Sequence, residues 1–328
     1  MVAVSYHGTV NVLQGTIAPE AGPFGQYEWF ALLEDAGMRP LVVVAQDGQK
    51  TAAMVLAQGH SGLEAMGNWY NFTWQPISNS PLSDANLLRA IAHDLKSRTH
   101  HIMLAPLADE DGTASAMEQA FRTSGWHVRR VQCDHNQVLP VKGRSFAQYR
   151  STLPGPMRTV LKRKSGKVEV RIITQFDADI WQTYASIYER SWKPQEGAPD
   201  LLRRFAETQG HGGKLRMAIA MRDGIAVAAQ FWTVENKVAY IHKLAHLPEF
   251  QSLSAGSILT AALLEYVIDT DAVELVDFGT GNDAYKADWM ELVRPRYRLE
   301  CSDPHQMKAW PRLLRQFASR VARPFGRS

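Results

Sequence analysis

Two segments of the chain show the same pattern of apolar runs around a tight turn. Residues 41–58 read LVVVAQDGQKTAAMVLAQ, and residues 215–232 read LRMAIAMRDGIAVAAQFW. In each, an Asp-Gly pair (Asp47-Gly48 and Asp223-Gly224) separates two apolar runs. Such a pair is typical of a β-hairpin, because the favoured two-residue turn needs positive φ at both central positions. The sequence therefore predicts two hairpins.

The elements predicted after the two hairpins follow one order. After the first hairpin, the spacing predicts a helix over 84–98, a buried strand over 101–106, a helix over 115–123 and a strand over 128–133. After the second, it predicts a strand over 238–246, a helix over 255–268, a strand over 273–278, a helix over 284–292 and a strand over 296–301. The order hairpin, helix, strand, helix, strand occurs in both halves, with an added strand over 238–246 in the second, and this recurrence indicates two copies of one mixed α/β unit.

The repeat divides the chain into domains. We predict an N-terminal domain over residues 1–140, a C-terminal domain over 145–303 and a basic amphipathic C-terminal helix over 304–328. Pro140 and Gly143 interrupt the periodic pattern at the boundary. A chain of 328 residues, 45% hydrophobic and 21% charged, suits two globular domains. A net charge of +3 is too small to indicate a nucleic-acid partner by itself.

The number of cysteines and the hydropathy of the chain further limit the class of protein. Cys133 and Cys301 lie far apart and match no metal-ligand spacing, so neither a disulfide framework nor a metal site is expected. The first residues show no basic stretch followed by an apolar segment, and no run of eighteen apolar residues occurs. We expect a cytoplasmic location.

The order of elements resembles the GNAT acetyltransferase fold, and the tandem form resembles the FemAB-like group. The second half is similar to the domain called BioF2-like or CelD-type acetyltransferase. The segments that carry this resemblance are YIHKLAHLPEF (240–250), SAGSILTAALLEYVI (254–268), ELVDFGTGNDAYKADW (274–289), MRTVLKRKSGK (157–167) and YASIYERSWKP (184–194). The resemblance implies a mixed α/β fold of two tandem GNAT-like domains, the first a degenerate copy.

The resemblance also implies a GNAT-type N-acyltransferase. Such an enzyme moves an acyl group, typically acetyl, from acetyl-CoA or another acyl-CoA to an amine or hydroxyl. The acceptor would be a small molecule or a saccharide- or lipid-linked compound of envelope biosynthesis. FemAB relatives use aminoacyl-tRNA, so tRNA is a partner only under that alternative. A third interpretation is an inactive GNAT fold that serves as a binding or scaffold module. No Gly-x-Ser-x-Gly motif occurs, which favours direct attack of the acceptor on the thioester.

A small-residue segment opens the helix after the strand 238–246. Its backbone amides would bind the phosphates of the carrier, because a helix N-terminus attracts anions. The cofactor-binding residues predicted here are Leu253, Ser254, Ala255, Gly256 and Ser257. The alternative is a plain helix start with Ser254 as N-cap. Family members usually carry more glycines in this segment, whereas only Gly256 is present here.

The segment 277–283 leaves a strand and enters a loop, where ligands of α/β sheets bind. Gly279 and Gly281 allow a substrate to approach closely and are predicted substrate-binding residues. Asp277 is a candidate catalytic carboxylate that orients or deprotonates the acceptor. Its alternative role is to cap the loop.

Three further side chains are catalytic candidates. Tyr285 is positioned to act as general acid toward the leaving thiolate, and Lys286 to neutralise a phosphate or an oxyanion. His242 is a candidate base on the strand 238–246, where alternation places it on one face with Tyr240 and Leu244. Core packing for Tyr285, solvation for Lys286 and structural hydrogen bonding for His242 are the alternatives.

Aromatic and basic groups complete the candidates. Trp69 and Trp74 are predicted either to floor a substrate cleft or to pack in a core. A basic cluster is formed by Arg158, Lys162, Arg163, Lys164 and Lys167. A solvated helix face is the favoured explanation of that cluster, with phosphate binding as the alternative.

The C-terminal segment has apolar residues at helical spacing with basic residues between them. The apolar set is Met307, Trp310, Leu313, Leu314, Phe317 and Val321, and no acidic residue follows Asp303. A helix of this kind either lies on an anionic membrane surface, which would place the protein at the inner face of the membrane, or docks on the protein.

Overall fold

The computed structural model describes residues 2–16, 21–81, 85–281 and 283–321, with side chains described as far as residue 315. The strands are β1 (Ala3–His7), β2 (Pro40–Asp47), β3 (Lys50–Gln58), β4 (Leu63–Ala65), β5 (Ile77–Ser78), β6 (His101–Leu107), β7 (His127–Pro140), β8 (Glu169–Ile173), β9 (Leu215–Arg222), β10 (Ile225–Glu235), β11 (Val238–His246), β12 (Leu275–Thr280) and β13 (Leu292–Ser302). The α-helices are α1 (Tyr27–Asp35), α2 (Ala85–Asp94), α3 (Thr113–Thr123), α4 (Phe146–Thr152), α5 (Gly155–Lys164), α6 (Ala178–Glu189), α7 (Pro199–His211), α8 (Ala255–Asp269), α9 (Ala284–Ala287) and α10 (Trp310–Val321).

The chain forms two compact units. Unit 1 comprises Met1–Asp134 and Pro295–Ser328, and unit 2 comprises His135–Arg294. Among the helices of the described residues, none is both long and apolar enough to cross a membrane.

In unit 1, β1, β2 and β3 are antiparallel neighbours, followed in the sheet by β4, β6 and β13. The β2–β3 hairpin turns at Gly48, whose φ is 62°, and Asp47 pairs with Lys50. β4 pairs with β6 in parallel at only two positions, Leu63 with Ile102 and Glu64 with Met103. The predicted first hairpin is therefore confirmed.

Unit 2 repeats this order. Strands β8, β9, β10 and β11 are antiparallel neighbours, and β12 is parallel to β11. The β9–β10 hairpin turns at Asp223 and Gly224, with φ of 50° and 80°. Helix α8 is buried on nearly every side, and its apolar residues pack on β9, β10 and β11. The predicted second hairpin and the predicted mixed α/β class are confirmed.

The closing strands do not follow the predicted domain boundaries. The last residues of β7 pair with β12, as Leu139 does with Val276, and belong to unit 2. Residues 297–302 of β13 pair with β6, and the chain from Pro295 onward belongs to unit 1. Leu299 and Cys301, both fully buried, explain this placement, because their side chains fill the core of unit 1. The predicted domain over 145–303 thus ends earlier, at Arg294.

The predicted helix over 284–292 is also shorter than expected. Only α9, a single turn over Ala284–Ala287, forms before the chain enters β13. The tight turn is closed by the amides of Trp289 and Met290, which both donate to Lys286 O at 3.1 and 2.9 Å. Trp289 is buried in the core of unit 2 and holds the chain there.

Candidate active site

The two parallel strands of unit 2 diverge after a short stretch of pairing. Residues 238–240 of β11 pair with residues 275–277 of β12, ending at Tyr240 and Asp277. Both strands continue, β11 to His246 and β12 to Thr280. An opening therefore lies between their carboxyl ends, and one edge of β11 faces it without a partner strand in β12.

A β-bulge in β11 interrupts the alternation of its side chains between the two faces of the sheet. Lys243 pairs with Phe231 of β10, and the next pair joins Ile241 to Trp232, so His242 is an extra residue. A bulge breaks the two-residue alternation. His242 contacts Phe205 of α7 and Lys243 contacts Tyr188 of α6. The predicted alternation of His242 with Lys243 on opposite faces is therefore wrong.

His242 lies between aromatic rings. Its ring stacks on Phe231 with centroids 4.9 Å apart, and its Nε2 is 2.8 Å from Thr233 Oγ1. Burial, with a smaller effect of the Lys243 charge, lowers the pKa of His242 to about 3. An imidazole this weakly basic is a poor general base near neutral pH. The geometry favours the structural alternative for His242.

Helix α8 begins beside the opening. Ser254 has a left-handed conformation, with φ of 54° and ψ of 35°, and its side chain makes no capping hydrogen bond to the helix. The intrahelical ladder starts with Ile258 N–H donating to Ser254 O at 3.1 Å. The amides of Ala255, Gly256 and Ser257 precede it, as the first amides of every helix do. The alternative of Ser254 as a side-chain N-cap is not observed.

A lysine lies at this helix start. Lys164, the last residue of α5, donates from Nζ to Ser252 O and to Ser254 Oγ, both at 2.9 Å. The remaining members of the basic cluster, Arg158, Lys162, Arg163 and Lys167, are exposed, as the solvated-face interpretation predicts. Lys164 is half-buried and adds a full positive charge to the helix dipole. The sequence pattern did not single it out, because the α5–α8 contact is tertiary.

Tyr285 is connected to the first turn of α8 by a polar network. Its hydroxyl is 2.7 Å from Thr260 Oγ1, which also accepts from Gln230 Nε2 at 2.7 Å. Thr260 Oγ1 is 3.0 Å from Gly256 O, an atom that only accepts. Gly256 O also accepts from Gln230 Nε2 at 2.9 Å, so it does not require the Thr260 proton. Thr260 can therefore donate to the Tyr285 oxygen, which leaves the Tyr285 proton for a ligand.

Burial raises the pKa of Tyr285 to about 12, although hydrogen bonds from its neighbours act in the opposite sense. The phenol is thus fully protonated near neutral pH. A group of such weak acidity hydrogen-bonds to a developing thiolate more readily than it gives up its proton, because a thiol has a pKa of about 8.5. Tyr285 is half-buried and available for that role.

Asp277 is bound on both carboxylate oxygens. Oδ1 accepts from the amide of Gly279 at 2.7 Å, and Oδ2 accepts from Asn136 Nδ2 of β7 at 2.9 Å. Gly279 and Gly281 have φ of 69° and 103°, which only glycine adopts without strain. Asp277 therefore caps the loop after β12, as its alternative role predicts.

Lys286 turns back onto the same loop. Its Nζ donates to Thr280 O at 2.5 Å and lies 5.3 Å from the ring centroid of Phe278. The side chain is buried, at 8% exposure. Lys286 is thus not solvated, and it stabilises the end of β12 through Thr280.

A charged cluster that the sequence interpretation missed faces β11 from the connection between α6 and α7. Lys243 forms an ion pair with Glu196 at 2.7 Å, and its Nζ lies 5.4 Å from the ring of Tyr188. Burial, and then the charge of Lys243, lowers the pKa of Lys193, while Asp283 and Glu196 act in the opposite sense. Trp192 next to it is 54% exposed. The charges of this cluster are thus coupled to β11 and to the loop after β12.

The two tryptophan candidates of unit 1 differ in burial. Trp69 is 65% exposed, whereas Trp74 is 1% exposed and belongs to the core. For Trp74 the core alternative holds, because a buried indole has no surface to offer a substrate. Within the described residues, no group of three or more His, Cys, Asp or Glu side chains is arranged to hold a metal ion.

Residues 147–287, which run from α4 to α9, match the family model described as "Acetyltransferase (GNAT) domain". A comparison with curated proteins found no match.

Several solved structures share the fold along nearly the whole chain. A crystal structure of FemX is similar with a TM-score of 0.66 at 10% identity, covering 95% of this chain and 99% of that one. The C-terminal domain of a putative lysylphosphatidylglycerol synthetase from Agrobacterium fabrum gives 0.60 at 12% identity, with 93% and 94% covered. A tandem GNAT protein from the clavulanic acid biosynthesis pathway gives 0.50 at 13%, with 93% and 100% covered. These likenesses confirm the predicted fold of two tandem GNAT-like domains.

Proposed function

We propose that the protein is an N-acyltransferase, because residues 147–287 match the model of the GNAT acetyltransferase domain and the chain shares the fold of FemX and of a tandem GNAT protein. Unit 2 would transfer an acyl group, acetyl in the simplest case, from acyl-CoA to an amine or hydroxyl. The observation that carries this proposal is the divergence of β11 and β12 directly beside the start of α8 and Lys164.

In this proposal the chain's own groups divide the work. Phosphates of the carrier accept hydrogen bonds from the amides of Ala255, Gly256 and Ser257 and are neutralised by Lys164. The thioester lies in the opening between β11 and β12. The acceptor nitrogen bonds to the acyl carbon as the C–S bond breaks, and the Tyr285 hydroxyl hydrogen-bonds to the departing sulfur. The displaced amine proton goes to solvent.

The remaining candidates act by positioning. Asp277 and Lys286 hold the loop that carries Gly279 and Gly281, so they set the shape of the opening. The acceptor would approach from the side of Lys193, Glu196 and Lys243. His242 supports the bulge and takes no part in proton transfer in this scheme.

Calorimetric titration with CoA and acetyl-CoA tests the proposal. Replacing Lys164 removes a charged donor, which typically contributes about 1.5–3 kcal/mol, so Lys164→Gln should weaken binding by at least about tenfold. Lys162→Gln, an exposed neighbour on the same helix, should bind as the wild type does. An equal loss of CoA binding in Lys164→Gln and Lys162→Gln, or no loss in either variant, would contradict this carrier site.

One observation favours a second candidate, an aminoacyl transferase that takes its acyl group from aminoacyl-tRNA. The segment 251–257 contains one glycine, and Ser254 occupies the left-handed position. FemX, whose fold is similar, motivates testing this donor. Transfer from charged tRNA without any CoA binding would select this candidate. Binding of neither donor would favour an inactive scaffold.

A further inference from the structure

Unit 1 contains a basic cavity of about 600 Å³ that the proposed acyl transfer does not use. Its charged walls are four arginines and two glutamates, namely Arg129, Arg298, Arg312, Arg315, Glu64 and Glu300. Four positive against two negative charges leave an excess of two positive charges. His101, which also lines the cavity, is neutral near pH 7, because burial and then the charge of Arg312 lower its pKa to about 4.

The excess charge lies on the side formed by α10. Glu300 is shared by Arg129 and Arg298, each 3.1 Å away. Arg312 instead donates to the neutral hydroxyl of Ser61 at 2.8 Å and contacts the neutral imidazole of His101. Arg315 donates from Nε to the carbonyl of Pro311 at 3.1 Å. The two arginines of α10 thus bond to uncharged groups and can receive an anion.

An exposed apolar stripe runs along α10 and the 3-10 helix Met307–Ala309 that precedes it. Met307, Trp310 and Leu314 are 81%, 54% and 65% exposed, and spacings of three and four residues place them on one side of a helix. Trp310 Nε1 donates to Pro304 O at 3.1 Å, so the polar edge of the indole is satisfied while the ring faces solvent. Ala309 and Leu313 are buried and attach the helix to unit 1.

We propose that α10 and this cavity bind an anionic phospholipid surface, with the stripe in the boundary between headgroups and acyl chains and a headgroup phosphate in the cavity. Leu314 belongs to the stripe and the next residue, Arg315, lines the cavity and is exposed, so the stripe and the cavity are neighbours on the surface of unit 1. Apolar side chains beside basic ones are the combination that interfacial helices use. A nucleic acid would complement the arginines but leave the three apolar side chains in water.

Sedimentation of the full-length protein with lipid vesicles tests this inference independently of any acyl transfer. Vesicles of phosphatidylcholine with one quarter phosphatidylglycerol should bind the protein, and vesicles of phosphatidylcholine alone should not. A basic residue near an anionic surface contributes about 1 kcal/mol, or roughly fivefold, so Arg312→Gln with Arg315→Gln should weaken binding about 25-fold at low salt. Leu314→Ser should weaken it by about tenfold through the lost apolar burial.

Matched variants in unit 2 serve as controls. Ile225→Ser removes an apolar side chain of similar exposure, 53%, and Arg158→Gln with Arg163→Gln removes two exposed charges. Both should bind vesicles as the wild type does, and all variants should keep the wild-type circular dichroism.

Three results would overturn the inference. The first is no difference between the two vesicle compositions. The second is stabilisation of the protein against heat by inorganic phosphate or glycerol phosphate without vesicle binding, which would assign the cavity to a soluble phosphate compound. The third is binding to RNA that depends on Arg312 and Arg315 but not on Leu314, again without vesicle binding.

Discussion

Units 1 and 2 share one strand order but differ in the segment that connects the first strand of the parallel pair, β4 in unit 1 and β11 in unit 2, to the next helix. In unit 2, β11 ends at His246 and α8 begins at Ala255 after a short 3-10 helix. In unit 1, β4 ends at Ala65 and α2 begins at Ala85, with residues 66–84 between them. The direct strand-to-helix connection needed for the proposed carrier site is therefore a property of unit 2.

The units also carry positive charge at different ends of their parallel strands. Lys164 of unit 2 lies beside the carboxyl end of β11, through its contact with Ser254. The arginine-lined cavity of unit 1 includes Leu63 and His101, the first residues of β4 and β6. The two units thus share one strand order, whereas their loops place positive charge at the carboxyl end of the parallel strands in unit 2 and at the amino end in unit 1.

The largest effect is expected where the carrier phosphates would meet α8. Gly256→Glu places a carboxylate among the proposed phosphate donors, so the Kd for CoA should rise by at least about 100-fold, because more than one charged hydrogen bond is lost. Gly256→Ala should remain folded, because its Cβ would meet Leu244 and His246 at the ordinary contact distances of 3.6 and 3.8 Å. It should bind CoA more weakly than the wild type.

The matched control is Asn86→Glu in the first turn of α2, where the residue is exposed. It adds the same charge to the corresponding helix of unit 1 and should leave CoA binding unchanged. An equal loss in both variants would erase the proposed difference between the units. Calorimetry measures both Kd values, and circular dichroism checks the fold.

Tyr285→Phe should lower kcat about 100-fold with little change in KM for the carrier, because the phenol acts only as the thiolate develops. The melting temperature should fall slightly, since one hydrogen bond to Thr260 is lost. Tyr27→Phe, which removes an exposed tyrosine bond to Asn11 in unit 1, is the control and should keep full kcat. A wild-type kcat for Tyr285→Phe would leave this residue a packing role only. Release of CoA thiol is the assay, either with an acceptor or through slow carrier hydrolysis.

Asp277→Asn should act on stability more than on chemistry, which revises the interpretation of Asp277 as a catalytic carboxylate. Asparagine keeps only one acceptor oxygen, and its NH2 group can only donate, so one of the hydrogen bonds from Gly279 and Asn136 is lost and the free energy of unfolding should fall by about 1.5–3 kcal/mol. The counterpart in unit 1 is Asp109→Asn, where the carboxylate accepts from Arg130 and Ser115 but is partly exposed. Asp109→Asn should lose less unfolding free energy, because solvent screens the ion pair between Asp109 and Arg130. Denaturant unfolding measures the free energy of unfolding of both variants. A large loss of kcat in Asp277→Asn with unchanged stability would restore the catalytic role of Asp277.

The smallest effect on turnover is expected at His242. His242→Gln should change kcat by less than about threefold, because a true general base contributes about 10²–10⁴-fold. Its pKa is lowered to about 3 in the folded chain, so the unfolded chain binds the proton more strongly. Stability from this site is therefore present above the ordinary histidine pKa of about 6.5 and decreases as the pH falls toward 3. His101 of unit 1, with its pKa lowered to about 4, has the same sign.

Thermal unfolding of wild type and His242→Gln at pH 7 and pH 5 measures this contribution. The wild type should lose more stability than the variant on acidification. A variant that loses as much as the wild type, or that loses 100-fold in kcat at pH 7, would show that the imidazole has another role.

Local pattern was enough to predict the hairpins at Gly48 and Gly224, the strand–helix order and the small-residue start of α8. It was not enough for contacts that join distant segments. The partner of β13 is β6, almost 200 positions earlier in the chain, and no local period encodes that choice. The bulge at His242 breaks the alternation from which its face was predicted. Lys164 and Thr260 acquired their roles only through packing against α8 and Tyr285.

The exchange of closing strands makes unit 2 an insertion within unit 1. Unit 2 is one uninterrupted stretch, His135–Arg294, whereas unit 1 needs residues on both sides of it. During synthesis, unit 2 can therefore be complete while unit 1 still lacks β13 and the buried Leu299 and Cys301. The order of folding would be the reverse of the order along the chain, and the first unit to emerge from the ribosome would be the last to close.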